Sequence, residues 1–188
     1  MRQVKHALVA FGSNLQLSGK FSVDILRAAA AALENIGLDV VAISGFYGSA
    51  AVPAGSGPDY VNAAALIRVE RDAAEILALL HRVEADFGRE RVQRWGQRTL
   101  DLDLLALGDE VLPDVATQTL WRNLAPAAQM TQTPDQVILP HPRLQDRAFV
   151  LVPLAEVAPG WRHPVLGQTV LEMLARLPAA EVASVRPM

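Results

Sequence analysis

Four arginines, a tryptophan and two aspartates lie close together between residues 88 and 103. The segment reads Gly-Arg-Glu-Arg-Val-Gln-Arg-Trp-Gly-Gln-Arg-Thr-Leu-Asp-Leu-Asp. Arginine binds phosphate through paired N–H donors, and Mg²⁺ prefers carboxylate and phosphate oxygens. Cations and carboxylates placed side by side can therefore serve one ligand that carries both metal and polyphosphate. The segment indicates a site for a nucleoside triphosphate.

The two carboxylates, Asp101 and Asp103, lie two residues apart in an apolar run that is typical of a strand. Alternate strand residues share a face and their Cα atoms lie about 6.6 Å apart, so both aspartates point the same way while the leucines between them point into the core. Aspartate is disfavoured in strands, and aligned like charges repel unless a cation neutralises them. The pair therefore favours a site for two Mg²⁺ ions, which lie roughly 3.5–4 Å apart in two-metal sites. A solvated strand face is the alternative.

Three further features are ambiguous when the residues are judged alone. The arginine run follows a helix end, where charged runs are usually solvated loops, but Trp95 and Arg98 directly precede the carboxylates and could fold over bound phosphates. His141, between two prolines, is more often a structural turn residue than a ligand. Tyr60 and Asn62 share one strand face, where an amide with donor and acceptor edges suits a flat heterocycle.

Composition sets bounds on the kind of protein. The chain has 188 residues, 51% of them hydrophobic, and a formal net charge of −3, which fits one domain over residues 1–188 and argues against a surface devoted to nucleic acid. It has no cysteine, and no stretch approaches the ~20 apolar residues of a membrane span. We expect a cytoplasmic enzyme with no obligate protein partner.

The apolar periodicity predicts an α+β fold. Strand, helix, strand, strand, helix and strand follow in order, which is the ferredoxin-like βαββαβ arrangement with both helices on one face of an antiparallel sheet. Beyond this core we expect a long inserted loop with at most a short helical turn, and then C-terminal helices. The predicted strands are 4–11, 38–46, 60–69 and 99–107, the helices 22–36, 72–87, 147–157 and about eight residues from 169, and the loops 48–59 and 113–137.

Five segments in this order resemble the 6-hydroxymethyl-7,8-dihydropterin pyrophosphokinase family of folate biosynthesis. Arg-Thr-Leu-Asp-Leu-Asp, at residues 98–103, is the most specific of them. The others are Phe-Gly-Ser-Asn-Leu at 11–15, Ser-Gly-Phe-Tyr-Gly-Ser at 44–49, Pro-Asp-Tyr-Val-Asn-Ala at 58–63 and Leu-Pro-His-Pro-Arg at 139–143. The resemblance implies transfer of the β,γ-pyrophosphoryl group of ATP to the pterin hydroxymethyl oxygen, with release of AMP.

The resemblance also implies roles for individual residues. Asp101 and Asp103 would hold two Mg²⁺ ions, with Arg89 and Arg98 as further catalytic residues. Positions implied to bind ATP are His81, Glu84, Arg89, Arg91, Arg94, Trp95, Arg98, Leu104, Ile138, His141 and Arg147, with Leu104 and Ile138 at the adenine. Positions implied to bind the pterin are Ser49, Ala50, Val52, Tyr60, Asn62, Trp95 and Phe149, with the ring between Tyr60 and Phe149.

Some positions depart from the family pattern. Gln97 stands where proline is usual, Ala50 and Ala51 replace a Pro-Pro pair, and Val92 occupies a commonly basic position. The segment 113–137 is longer than in compact members. Two other classes stay open, a two-metal phosphohydrolase or nuclease and a degenerate, non-catalytic nucleotide-binding relative. Hydrolysis of ATP without pterin would identify the first, and ATP binding without product the second.

Overall fold

The architecture is taken from a computed structural model that describes residues 3–15, 22–51, 57–88, 99–125, 128 and 131–188. Strands and helices alternate through the first two thirds of the chain, and short helices follow. The strands are β1 (Lys5–Ser13), β2 (Asp39–Ile43), β3 (Tyr47–Ser49), β4 (Tyr60–Val69), β5 (Asp101–Leu107) and β6 (Arg186–Pro187). The helices are α1 (Ser22–Asn35), α2 (Ala73–Asp86), α3 (Val115–Arg122), α4 (Ala148–Val157), α5 (Val170–Leu174) and α6 (Ala179–Ser184).

The described strands form one antiparallel sheet in the order β5-β1-β4-β3-β6, with β2 pairing β4 beside β3. The order of the four predicted strands is therefore fourth, first, third, second, as the ferredoxin-like arrangement requires. The α+β prediction is confirmed. Strand β5 lies at one edge, so one side of its backbone faces away from the sheet.

Each face of the sheet carries its own apolar core. Helices α1 and α2 pack on one face, where Leu26, Leu33, Ile76 and Leu80 are fully buried. Helices α4 and α5 pack on the opposite face through residues that include Leu151. Because the strand period is two, β4 sends Ala63, Ala65 and Ile67 to the first core and Ala64 to the second, as predicted.

The ends of the helices follow the predicted capping signals. Asp72 accepts a hydrogen bond from the Glu75 backbone N–H while the Glu75 carboxylate accepts from the Asp72 N–H, which completes the capping box of α2. Thr169 and Glu172 do the same for α5. That helix ends after five residues rather than the expected eight, and α6 follows separately.

Three elements differ from the prediction. The expected strand 38–46 ends as β2 at Ile43, and β3 extends two residues into the expected loop 48–59. Between the two strands, Gly45 donates its N–H to Glu156 of α4. Segment 113–137 contains α3, a helix of eight residues whose cap, Asp114, accepts from the Thr117 N–H. Strand β6 pairs with β3 and has no counterpart in the prediction.

Within the described ranges, no helix has both the length and the apolar character needed to cross a bilayer.

Candidate active site

One row of residues across the sheet joins the predicted metal site to the predicted pterin site. In β1, Gly12 pairs with Asp101 of β5 on one side and with Asn62 of β4 on the other, and Asn62 pairs in turn with Tyr47 of β3. Neighbouring strands lie about 4.8 Å apart, so roughly 10 Å separates the Asp101 and Asn62 backbones. The face therefore places a carboxylate and an amide side by side, separated by a residue without a side chain.

The two aspartates share this face, as predicted. Asp101 and Asp103 are half-buried, whereas Leu102 and Leu104 are 3% and 4% exposed and belong to the core beneath α1 and α2. Asp103 pairs with Ala10, so both aspartates have a small neighbour on β1.

Gly12 is the position without a side chain between the two predicted sites. A Cβ atom placed on Gly12 would lie 3.8 Å from Asp101 Cβ and 4.0 Å from Tyr60 Cδ1. A carboxylate and an aromatic ring thus approach the same glycine from two strands. Any larger side chain at this position would occupy the space between them.

Arg147 supplies a cation next to the aspartates. It is the N-terminal flanking residue of α4 and lies 5.6 Å from the centre of the Phe149 ring, measured from its Cζ atom. Burial lowers the pKa of Arg147, while the carboxylates of Asp103 and Asp101 raise it. Because a guanidinium stays protonated in proteins, Arg147 brings a fixed positive charge to this site.

His141 lies near Arg147 and Asp101, and its imidazole ring is neutral. Burial above all, and then the Arg147 charge, lower the pKa of His141 to about 3, although Asp101 acts in the opposite direction. Its Nδ1 accepts a hydrogen bond from the Arg143 N–H at 3.1 Å. The proton of the neutral ring is therefore assigned to Nε2, which can donate to an anionic oxygen.

His81 and Glu84, expected to project together from α2, differ in their surroundings. His81 is exposed, whereas Glu84 is 1% exposed and accepts a hydrogen bond from the Leu102 N–H at 2.8 Å. Leu102 lies between the two aspartates, and its N–H points away from β1, at the outer edge of β5. The carboxylate of Glu84 thus ties α2 to the strand that carries the metal-site residues.

The side chain of Leu104 lies apart from the two aspartates. That side chain points into the core on the face opposite Asp103, because strand side chains alternate. Its backbone N–H and C=O face the free edge of β5, since they point the same way as the Leu102 N–H that reaches Glu84. Ile138 is 6% exposed and precedes Leu139, which pairs with Leu112. A ligand at this edge of β5 would therefore face the backbone of Leu104.

The pterin-site residues gather around β3 and β4. Asn62 is 4% exposed, and its Nδ2 donates to Ser49 Oγ at 2.9 Å and to the Tyr47 carbonyl at 3.3 Å. With its donor side held by the sheet, Asn62 offers Oδ1 as an acceptor. Tyr60 and Phe149 are half-buried, and α4 packs over the sheet face that Tyr60 shares. Ala50 is exposed and Ala51 is buried.

Several predicted positions lie outside the described residues. They are Val52, Arg89, Arg91, Arg94, Trp95 and Arg98, together with the departures Val92 and Gln97. Among the described residues, no group of three or more histidine, cysteine, aspartate or glutamate side chains is arranged to hold a metal. A metal at Asp101 and Asp103 would need oxygens from its ligand or from water.

Two features of the site were not assigned from the sequence. Gly12 was part of the Phe-Gly-Ser-Asn segment. The reason for a glycine there follows from the position of β1 between β4 and β5, which the sequence alone does not show. Gln118 is fully buried and donates to the Pro140 carbonyl at 3.2 Å, next to His141. No sequence signal marked it, because glutamine on a polar helix normally faces solvent.

The chain is similar to known proteins over most of its length. Residues 8–159 match the family described as 7,8-dihydro-6-hydroxymethylpterin-pyrophosphokinase (HPPK). The 2-amino-4-hydroxy-6-hydroxymethyldihydropteridine pyrophosphokinase of Synechocystis sp. is 36% identical over 99% of this chain and 83% of its own length. The Haemophilus influenzae protein of the same name is 35% identical over 81% of each chain.

A solved structure shares the fold. Wild-type HPPK-DHPS of Plasmodium falciparum superposes with a TM-score of 0.61 and 13% identity, over 93% of this chain and 45% of that longer one. The present chain thus spans less than half of that protein, and the likeness is one of fold. The family match and the similarity to these relatives show that the chain belongs to the 7,8-dihydro-6-hydroxymethylpterin-pyrophosphokinase family.

Proposed function

We propose that this chain carries out the reaction of its family on the sheet face that holds Asp101, Gly12 and Asn62. The 6-hydroxymethyl oxygen of the dihydropterin attacks the β-phosphorus of ATP, the bond from that phosphorus to the AMP oxygen breaks, and the hydroxyl proton is lost. The products are AMP and the pterin diphosphate ester. The row Asp101, Gly12, Asn62 carries the proposal, because it aligns a metal-phosphate site and a heterocycle site across one gap.

Asp101 and Asp103 fit Mg²⁺ in its ATP complex. Mg²⁺ typically binds to one or two carboxylates and completes its coordination with phosphate oxygens and water, so two aspartates on one face suffice. Two Mg²⁺ ions bound there would neutralise phosphate charge and hold the β-phosphorus in line with the attacking oxygen. Asp101 lies in the same row as Asn62 and is therefore the better placed of the two to ease removal of the hydroxyl proton.

Arg147 and His141, which lie near the aspartates, are proposed to bind the triphosphate. Arg147 brings a permanent charge and His141 a neutral Nε2–H donor, so the two can bind phosphate oxygens in different ways. Arg89, Arg91, Arg94 and Arg98 are proposed to add further donors, and Trp95 to cover the site. Donors aimed at the oxygens where charge develops lower the barrier to transfer.

The free edge of β5 is the proposed adenine site. Since the Leu104 backbone N–H and C=O face away from the sheet, they can pair with a purine edge much as a further strand would. Ile138 would supply an apolar contact beside them. His81 is exposed on α2, and we expect it to contact the solvent-facing side of the nucleotide.

The pterin is proposed to stack between Tyr60 and Phe149. The Tyr60 ring lies beside Gly12, which keeps the bound ring next to Asp101. Offset stacking contributes about 0.5–1.5 kcal/mol per aromatic pair, so hydrogen bonds must set the orientation. Asn62 Oδ1 would accept from the pterin, with Ser49, Ala50 and Val52 at its rim. ATP, the dihydropterin and Mg²⁺ are sufficient for the proposed reaction. We place this reaction in the cytoplasm.

The direct test is to mix the purified protein with ATP, Mg²⁺ and 6-hydroxymethyl-7,8-dihydropterin and to measure nucleotide products. We expect AMP and the pterin diphosphate in equal amounts, and no AMP when the pterin is omitted. Formation of ADP alone, or hydrolysis of ATP at the same rate without pterin, would contradict the proposal. Omission of Mg²⁺ in the presence of a chelator should abolish AMP formation.

A further inference from the structure

We propose that Gln118 of α3 is a positioning residue that holds His141 in place for ATP. This gives a role in the reaction to segment 113–137, and it rests on the proposed function of His141 as a phosphate contact. The structure supports it through the burial of Gln118 and through the hydrogen bonds on either side of one peptide unit.

The exposure pattern of α3 is the reverse of an ordinary surface helix. Val115 and Leu120 are 56% and 64% exposed, whereas Gln118 is 0% exposed. A glutamine loses considerable side-chain entropy on burial and must replace its hydrogen bonds with water, while the two apolar residues would gain from burial. Gln118 is thus the fully buried position among the described residues of α3, and its side chain donates to the Pro140 carbonyl.

Gln118 binds the peptide unit that leads into His141. Its Nε2 donates to the Pro140 carbonyl at 3.2 Å, while the His141 N–H of the same peptide donates to the Leu105 carbonyl at 2.8 Å. The two polar groups of one peptide are therefore fixed from opposite sides, by α3 and by β5. Leu105 lies two residues after Asp103, at the point where the pairing of β1 and β5 shifts register.

This arrangement determines where the His141 ring can lie. Its Nδ1 is already held by the Arg143 N–H, so the direction of Nε2 follows from the tilt of the backbone at His141. Adjacent pairing between Leu112 and Leu139 brings the start of the inserted segment to the same strand edge. Without the Gln118 donor, the Pro140–His141 peptide would keep the Leu105 bond on one side and lose its described partner on the other, so the tilt of the peptide and the direction of Nε2 should change.

A double-mutant cycle tests the proposal in the full chain. Gln118→Met keeps a long unbranched side chain but removes the donor, and it should lower kcat/KM for ATP about fivefold with the KM for the pterin unchanged. In a His141→Ala background the same substitution should have no further effect. Leu120→Ala, exposed on the same helix, is the matched control and should behave as wild type. An undiminished fivefold effect in the His141→Ala background would overturn the proposal.

A second measurement is independent of activity. The ¹⁵N signals of the His141 ring, assigned by their loss in His141→Ala, should shift in ligand-free Gln118→Met and stay in place in Leu120→Ala. A wild-type kcat/KM for ATP in His141→Ala would show that His141 has no phosphate role. Unchanged ring signals in Gln118→Met would separately overturn the positioning role of Gln118. Should Gln118→Met not fold, Asp114→Ala, which removes the exposed cap of α3, replaces it with the same deciding outcomes.

Discussion

At the scale of single residues, the site depends on two carboxylates that the sheet holds in register. Asp101→Asn and Asp103→Asn keep the side-chain shape but remove the negative charge that a metal requires. We expect each to lower kcat by at least about 100-fold, or ~2.7 kcal/mol at 1.36 kcal/mol per tenfold. Steady-state AMP formation at saturating Mg²⁺ measures the effect.

Asp109→Asn is the control for this pair, because Asp109 is an exposed aspartate just beyond β5. It should retain wild-type turnover. If Asp101→Asn and Asp103→Asn also turned over at the wild-type rate, the metal-binding role would have to be abandoned.

Gly12 makes a different kind of contribution, through the side chain it lacks. Gly12→Ala places a Cβ at ordinary contact distance from Asp101 and Tyr60, and should fold with modest loss of activity. Gly12→Val adds two methyl groups in the gap where the substrates meet, so kcat/KM for the pterin should fall at least about tenfold. Enzyme kinetics and thermal unfolding of both variants separate loss of function from loss of stability.

The matched control is Gly160→Val, since a Cβ on Gly160 meets nothing within 4 Å. That variant should keep the wild-type kcat/KM. Equal kinetics for Gly12→Val and wild type would show that the space above Gly12 is not used by substrate.

At the scale of elements, α2 and β5 are joined by a buried carboxylate in addition to their apolar contacts. In Glu84→Ala the Leu102 N–H would lose the acceptor that it has in the native chain. Loss of such a bond in a buried place costs about 1–3 kcal/mol, so the free energy of unfolding should fall by that amount. Chemical denaturation measures it, and Glu84→Gln, which keeps an acceptor oxygen, should lose less.

Asp86→Ala serves as the control on the same helix, because Asp86 is exposed near its C-terminal end. Removing an acidic side chain there should leave stability unchanged or slightly raised. Equal destabilisation of Glu84→Ala and Asp86→Ala would exclude a special role for the buried bond. Reduced turnover in Glu84→Gln with near-native stability would indicate that the bond also fixes the spacing of the aspartates.

The elements also show which parts of the fold can be predicted from a sequence. The alternation of β4 and the capping box of α2 are local patterns, and both were predicted correctly. Helix α3 has a local cap at Asp114, but the burial of Gln118 against the Pro140 carbonyl depends on a distant partner. Strand β6 likewise depends on the edge of β3. For the same reason the aspartate face was predictable from period two, whereas the burial of Glu84 was not.

At the scale of the whole molecule, polar contacts add to the apolar core that joins the C-terminal helices to the sheet. Trp161 Nε1 donates to the Gly108 carbonyl at 2.9 Å, just beyond β5. Near β3, Glu156 of α4 accepts from the Gly45 N–H and from the Tyr47 hydroxyl. The hydrogen bond to Glu156, then burial and the Glu156 charge, raise the pKa of Tyr47 to about 12. The site therefore lies between a sheet and a helical layer that are fastened at both ends.

His163 lies in this closing layer and makes its stability depend on pH. It is fully buried, and its Nδ1 accepts from the Val165 and Leu166 N–H groups at 3.2 Å each. Burial first, and then the Arg122 charge, lower the pKa of His163 to about 4. The unfolded chain binds a proton on this ring near pH 6.5, whereas the folded chain does so only near pH 4.

The folded state therefore becomes less stable relative to the unfolded state as the pH falls from 6.5 to 4. The reason is that the unfolded state takes up a proton that the folded state excludes. We expect this histidine alone to lower the free energy of unfolding by about 1–2 kcal/mol between pH 7 and pH 5. His163→Asn keeps an acceptor for the two N–H groups but cannot titrate, so its unfolding free energy should fall less over that interval, whatever its value at pH 7. Urea unfolding of both proteins across this range measures the two slopes, and parallel slopes would mean that His163 gains its proton equally in both states.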